Sequence, residues 1–180
     1  VDEWGLVRDW NQRPDDLGIG SFETYYPLGD TIAIARGLHE ILRSADIIAM
    51  ANWAQTVNVI GLIKTSRTHA VMEGAGHVFS LYRAHLGGVH VPVSVPDGVP
   101  VDAVAGWNRK KKILSIGLIN HSLDRSVTAA LQLSGGTATK RLAGWRITGS
   151  DLFAVNVPGK PEQVAPTSLS RDLSLDQPLD

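Results

Sequence analysis

The sequence predicts an α/β half followed by an all-β half, and two changes of texture along the chain are the reason. Between Asp30 and Leu86, apolar residues recur at helical spacing on either side of a short continuous apolar run. From Val89 onward, short alternating segments stop at glycine, proline or aspartate turns. At 180 residues the chain is long enough to bury a real core in one domain or two small ones. The expected division is 1–88 and 89–180.

In the first half, Asp30 is placed to cap a helix in which Ile34, Leu38, Ile41, Leu42 and Ala45 fall on one side. Ile47-Ile48-Ala49-Met50-Ala51 then reads as a strand covered on both faces, because such strands need no polar alternation. Val57 to Ile63 fits either a strand or a loop. A second helix is expected from about Thr68, with Val71, Ala75, Val78, Phe79 and Tyr82 on one side, ending at Gly87-Gly88. Helix, buried strand, helix is the alternation of a parallel-sheet α/β protein. One such strand leaves edges exposed on both sides, so partners from elsewhere are expected. Val1 is not an initiator methionine, which fits a chain that begins inside something larger.

In the second half, His90–Val95, Val101–Trp107, Ile113–Asn120, Val127–Leu133 and Lys140–Ile147 read as strands of an antiparallel sandwich. Arg109 and the lysines 110–112 form a solvated hairpin tip between two of them. Gly135-Gly136 makes a turn. After Pro158 the chain is rich in Pro, Ser and Asp and reads as a surface excursion.

Composition excludes several functions. A net charge of −1 provides no broad footprint for nucleic acid or an anionic membrane. No stretch reaches the ~18 apolar residues of a membrane span. Without cysteine there is no disulfide, thiol nucleophile or Cys-based metal site, and a cytoplasmic address is permitted, with secretion open. The six histidines show no metal-site spacing with acids and read as packing or surface residues. Asn120-His121-Ser122 is formally a glycosylation acceptor. Gly74 and Gly76 read as close-packing points rather than a phosphate loop, since no strand leads into them.

Two segments can carry chemistry. Asp2-Glu3-Trp4 is either a solvated acidic terminus or a carboxylate at a strand end beside an aromatic wall. Asn52, Gln55 and Asn58 follow the apolar run directly. Amides past the carboxyl end of a parallel strand lie where α/β barrels build their sites, and amides suit sugar hydroxyls; turn formation is the alternative.

Taken together, Asp2-Glu3-Trp4, Ser44-Ala45-Asp46, the block Met50-Ala51-Asn52-Trp53-Ala54-Gln55-Thr56-Val57-Asn58-Val59-Ile60, Leu81-Tyr82-Arg83 and Ile119-Asn120-His121-Ser122 resemble the final third of glycoside hydrolase family 51 α-L-arabinofuranosidases. The resemblance implies the last strands and helices of a partial (β/α)8 TIM barrel, followed by a jelly-roll-like antiparallel β-sandwich that lacks its last strand. It implies a retaining, exo-acting enzyme that releases arabinofuranosyl units from arabinoxylan, arabinan or arabino-oligosaccharides. Glu3 becomes the catalytic nucleophile, with Gln55, Trp4 and Asn52 as substrate-binding residues. Gly5 and Val7 stand where the family commonly has Asn and an aromatic residue.

The acid/base glutamate belongs to the missing part of the barrel, so this chain alone is expected to be inactive. No cofactor or metal is implied, and the complete enzyme is expected to be a homo-oligomer. An endo-glucanase or xylanase of the same family and a non-catalytic carbohydrate-binding sandwich are the rival readings, the latter using Trp107 or Trp145. On the catalytic reading, Glu3 and Gln55 converge on one open face with Met50 enclosed behind them.

Overall fold

The computed structural model describes residues 1–6, 23–134 and 141–172. The Gly135-Gly136 turn, Lys140, Val7 and residues 173–180 lie outside them. Among the described residues, two helices, α1 (Leu28–Arg43) and α2 (Gly74–His85), accompany seven strands: β1 (Ile63–Thr65), β2 (Ala70–Met72), β3 (Val89–Val91), β4 (Val101–Asn108), β5 (Ile113–Asn120), β6 (Arg141–Arg146) and β7 (Thr167–Asp172). The strands form three antiparallel sheets, ordered β1-β2, β3-β4-β5 and β6-β7.

Helix α1 starts one turn earlier than expected. Pro27 is its N-cap, with no side-chain capping bond, and Asp30 lies inside the first turn, where a carboxylate favours the helix dipole. Leu28, Thr31, Ile34, Ala35 and His39 make the buried face, at spacings of three and four. That face joins two clusters. Tyr26, Ile34 and Ala75 pack with Trp4, Leu6, Trp53, Leu62 and Phe79. Ala35, Val78 and Ile119 pack with Leu38, Tyr82 and Ile147, which seats both helices against β5.

Helix α2 begins at Gly74, not Thr68, because residues 70–72 are committed to a hairpin with 63–65. Both glycines at its start are close-packing points. A Cβ on Gly74 would meet Val164 at 2.4 Å and Thr31 Oγ1 at 2.6 Å; one on Gly76 would meet Met72 at 2.6 Å. At the other end Gly88, at φ 134°, passes so near β4 that a Cβ would lie 2.3 Å from the Trp107 carbonyl oxygen.

The expected strand over 47–51 does not form. Ile47 is 81% and Met50 62% exposed, so Met50 is not enclosed as expected. A two-sided strand needs neighbours on both edges. Among the described residues, the parallel pairing here is the single bridge between Trp4 and Trp53. The ambiguous Val57–Ile63 segment is a loop whose ends meet in another isolated bridge.

The β4–β5 hairpin forms as read, from Val101 opposite Asn120 to Asn108 opposite Ile113. Its exposed tip is 109–112, where the Lys111 amide donates to Asn108 Oδ1 (3.0 Å). Strand β3 is three residues long rather than six, since Pro92 has no N–H to extend the ladder. Residues 127–133 form no regular strand; Ala129 alone carries a bridge.

The segment after Pro158 is a surface excursion only over the exposed residues 159–163, and then returns to the fold. Val164 is buried, and residues 167–172 pair with β6. Asn156, fully buried, organises this return. Its amide donates to the Met72 and Val164 carbonyls (both 2.8 Å), and its oxygen accepts from the Gln163 and Val164 amides (both 2.9 Å).

His39, His77 and His85 act in packing, while His69 and His90 are exposed. His39 is buried between Tyr82 Oη at 2.7 Å and Asp102 Oδ2 at 3.4 Å. Burial, then Arg43, lowers its pKa to about 4, so it is neutral near pH 7. His77 meets Glu162 at 3.0 Å, and His85 stacks on Trp145 at 4.0 Å.

Candidate active site

Residues 1–6 and 50–54 run side by side and in parallel. The Trp4 amide donates to the Asn52 carbonyl (3.0 Å), and the Ala54 amide donates to the Trp4 carbonyl (3.1 Å). Alternation along extended chain then puts Trp4 and Trp53 on the same face. Their rings meet edge to face at 5.2 Å. Phe79 from α2 closes on both, at 5.9 and 5.5 Å, and Tyr26 meets Trp53 at 5.6 Å. Gly37 makes room in α1, since a Cβ there would lie 2.9 Å from the Trp4 ring.

Above this aromatic floor is an open cavity of about 280 Å³ lined by Glu3, Trp4, Gly5, Leu6, Tyr26, Trp53, Ala54 and Ile60. Glu3 is exposed on its rim. Of the four residues singled out by sequence, the cavity joins Glu3 and Trp4. Asn52 contributes its carbonyl to the strand pairing and, like Gln55, is not among the lining residues. Gln55 stands exposed two positions past Trp53, with φ 63°.

The loop holding Gln55 is conformationally unusual. Asn58 and Val59 also have positive φ, at 55° and 52°. Asn58 is accommodated by a side-chain bond from the Thr65 amide to its Oδ1 (2.8 Å). The Ile60 carbonyl accepts from both Trp53 Nε1 and Tyr26 Oη, each at 3.0 Å.

Beside this loop is a buried ionisable cluster that sequence reading missed. Lys64 is fully buried, pairs with Glu23 Oε1 at 3.2 Å, and lies over the Tyr25 and Tyr26 rings at 5.6 and 5.9 Å. Glu73, also fully buried, accepts the Tyr26 amide at 3.3 Å. The signals were faint: a single Lys inside Gly61-Leu62-Ile63-Lys64, and Glu23 ahead of two tyrosines.

Desolvation raises the Glu73 pKa from 4.5 to about 8, against the pull of Lys64. Because the folded value lies above the unfolded one, the native state holds the proton more tightly. The stabilisation is complete below about pH 4.5 and is lost as pH rises towards 8. Glu73→Gln, uncharged at every pH, is therefore expected to flatten this part of the urea-stability profile. An unchanged slope between pH 6.5 and 8 would contradict it.

Among the described residues no cluster of three or more His, Asp or Glu is placed to hold a metal ion, and no helix is long and apolar enough to cross a membrane.

The family model for the α-L-arabinofuranosidase C-terminal domain matches residues 2–178. A probable α-L-arabinofuranosidase C of Aspergillus clavatus is 23% identical over 89% of this chain. The chain spans about a third (34%) of that relative's length. Among solved structures, the thermostable GH51 α-L-arabinofuranosidase of Thermotoga petrophila superposes with a TM-score of 0.78 at 23% identity. That match covers 99% of this chain and 40% of the other. The Thermotoga maritima α-L-arabinofuranosidase, solved as an arabinose complex, gives 0.71 at 24% identity, over 94% of this chain and 38% of its own. The expected likeness to the C-terminal portion of family 51 enzymes is thus borne out, and the chain belongs to the α-L-arabinofuranosidase C-terminal domain family.

Proposed function

We propose that this chain is the C-terminal portion of a retaining, exo-acting α-L-arabinofuranosidase, with Glu3 as nucleophile and the acid/base residue supplied by the part of the enzyme that precedes it. The carrying observation is the parallel Trp4–Trp53 bridge, which leaves Glu3 on the rim of an aromatic-floored cavity. Neighbouring parallel strands aim residues at their carboxyl ends towards one face, the arrangement of a (β/α)8 barrel. The exposure of Ile47 and Met50 supports the same reading, since further barrel strands would cover them. On this reading the barrel portion gives way to the sandwich near Val89.

Mechanistically, ionised Glu3 attacks the anomeric carbon while the second carboxyl group protonates the departing oxygen, and water then releases arabinose from the covalent ester with net retention. Gln55 positions the sugar and strengthens its contacts in the transition state. Trp4 and Trp53 give the sugar an apolar wall.

Two assays test this together. The purified 180-residue chain should not turn over aryl α-L-arabinofuranosides, since leaving-group protonation alone is worth roughly 10²–10⁴-fold. The complete enzyme should do so with retained anomeric configuration, followed by NMR. Robust turnover by the chain alone, or an inverted first product from the complete enzyme, would overturn the proposal.

A further inference from the structure

We infer that the buried Glu23–Lys64 ion pair is a positioning device for Gln55, acting through the backbone of Val59. The inference rests on the reading above in which Gln55 contacts the sugar.

Val59 is a β-branched residue at φ 52°, a conformation such residues avoid because Cβ crowds the backbone. Something must hold it there. Its N–H donates to Glu23 Oε2 at 2.8 Å, and its carbonyl accepts from Lys64 Nζ at 2.9 Å and from the Thr24 amide at 2.8 Å. Glu23 Oε1 and Lys64 Nζ close the ring at 3.2 Å. One ion pair thus grips both polar groups of one strained residue.

Gln55 stands four positions upstream in the same loop, itself at φ 63°. The ends of that stretch are fixed by the Trp53 and Tyr26 bonds to the Ile60 carbonyl. With Ile60 and Val59 held, the path from Trp53 to Val59 is short and bent, and the direction of Gln55 is set by it.

Stability alone is a poor account of this pair. A buried ion pair generally gains little over apolar residues of the same volume, because two charges must be stripped of water. Lys64 is fully buried, with two tyrosine rings beside its ammonium group, so the cost of stripping its charge of water is large. What a methionine there cannot do is hold the Val59 carbonyl while pairing with Glu23.

The test is a double-mutant cycle in the complete enzyme, read as kcat/KM on an aryl α-L-arabinofuranoside with the folded fraction measured alongside. Lys64→Met is expected to lower kcat/KM by about tenfold to a hundredfold. Lys64→Met combined with Gln55→Ala should be no slower than Gln55→Ala alone, since both remove the same contact. Val59→Gly placed on Lys64→Met should recover most of the loss, because glycine accepts the left-handed conformation without being held.

Should Lys64→Met not fold, Glu23→Gln keeps the shape and weakens the clamp, and the same non-additivity is expected. Additive losses, or a loss that follows the folded fraction and is not rescued by Val59→Gly, would overturn the positioning role. A Gln55→Ala enzyme with unchanged kcat/KM would instead remove the premise that Gln55 contacts the sugar, leaving the assignment of Glu3 untouched.

Discussion

Glu3→Ala in the complete enzyme is expected to reduce arabinofuranoside turnover by at least about a hundredfold, with no loss of fold. The fold should survive because Glu3 is exposed on the cavity rim and the pairing of its strand uses the Trp4 backbone, not the Glu3 side chain. Removing the nucleophile removes the covalent intermediate, so water must attack from the vacated side. Azide, small enough to occupy that space, should give a product of inverted configuration, whereas removal of the acid/base leaves the first displacement and its stereochemistry intact. Retention of more than about a hundredth of the wild-type rate would contradict the nucleophile assignment.

The largest expected loss of stability lies at Asn156, which is not among the residues lining the cavity. Asn156→Ala should destabilise the protein by about 3–5 kcal/mol in urea unfolding, because it strands several buried backbone groups at once. The Met72 and Val164 carbonyls lose the donor that the side chain supplies, and the Val164 amide loses its acceptor. Val164 seats against Gly74 at the start of α2, so loosening its segment also loosens the helix. Asn156→Asp, nearly isosteric, should be comparably damaging, since an oxygen replaces the donor facing two carbonyls. A loss below about 1 kcal/mol for Asn156→Ala would mean that water takes over these bonds.

Neither residue was equally legible in the sequence. Glu3 is proposed through the company of Trp4 and the Asn52–Ile60 block, a resemblance of motifs rather than a consequence of periodicity. Helix α1 and the β4–β5 hairpin were legible because long amphipathic repeats and a charged tip between alternating segments are strong local signals. The β1–β2 hairpin was not, because three-residue strands are too short to show a period, and Val71 was absorbed into the helical pattern that follows.

The apolar run at 47–51 misled for another reason. Apolarity alone supplies no edge partners for a strand, and Ile47 and Met50 stand exposed. Asn156, Lys64, Glu73 and strand β7 were hidden because polar residues are assigned to the surface by default. Each has partners distant in sequence, such as Met72 for Asn156 and Glu23 for Lys64. The left-handed loop at Gln55, Asn58 and Val59 carries no glycine to announce it between Gln55 and Ile60.

Trapping the glycosyl-enzyme tests the role of Glu3 as nucleophile most directly. The complete enzyme would be incubated with a slow arabinofuranosyl substrate whose 2-position carries fluorine, digested, and mapped by mass spectrometry. Fluorine destabilises the oxocarbenium-like transition state, and an activated leaving group lets the first displacement outrun the second. One added 2-deoxy-2-fluoroarabinosyl mass is expected on the peptide that contains Asp2-Glu3-Trp4, with the ester on Glu3 and no label in Glu3→Ala. A label on any other carboxylate, or full inhibition without a covalent adduct on that peptide, would contradict it.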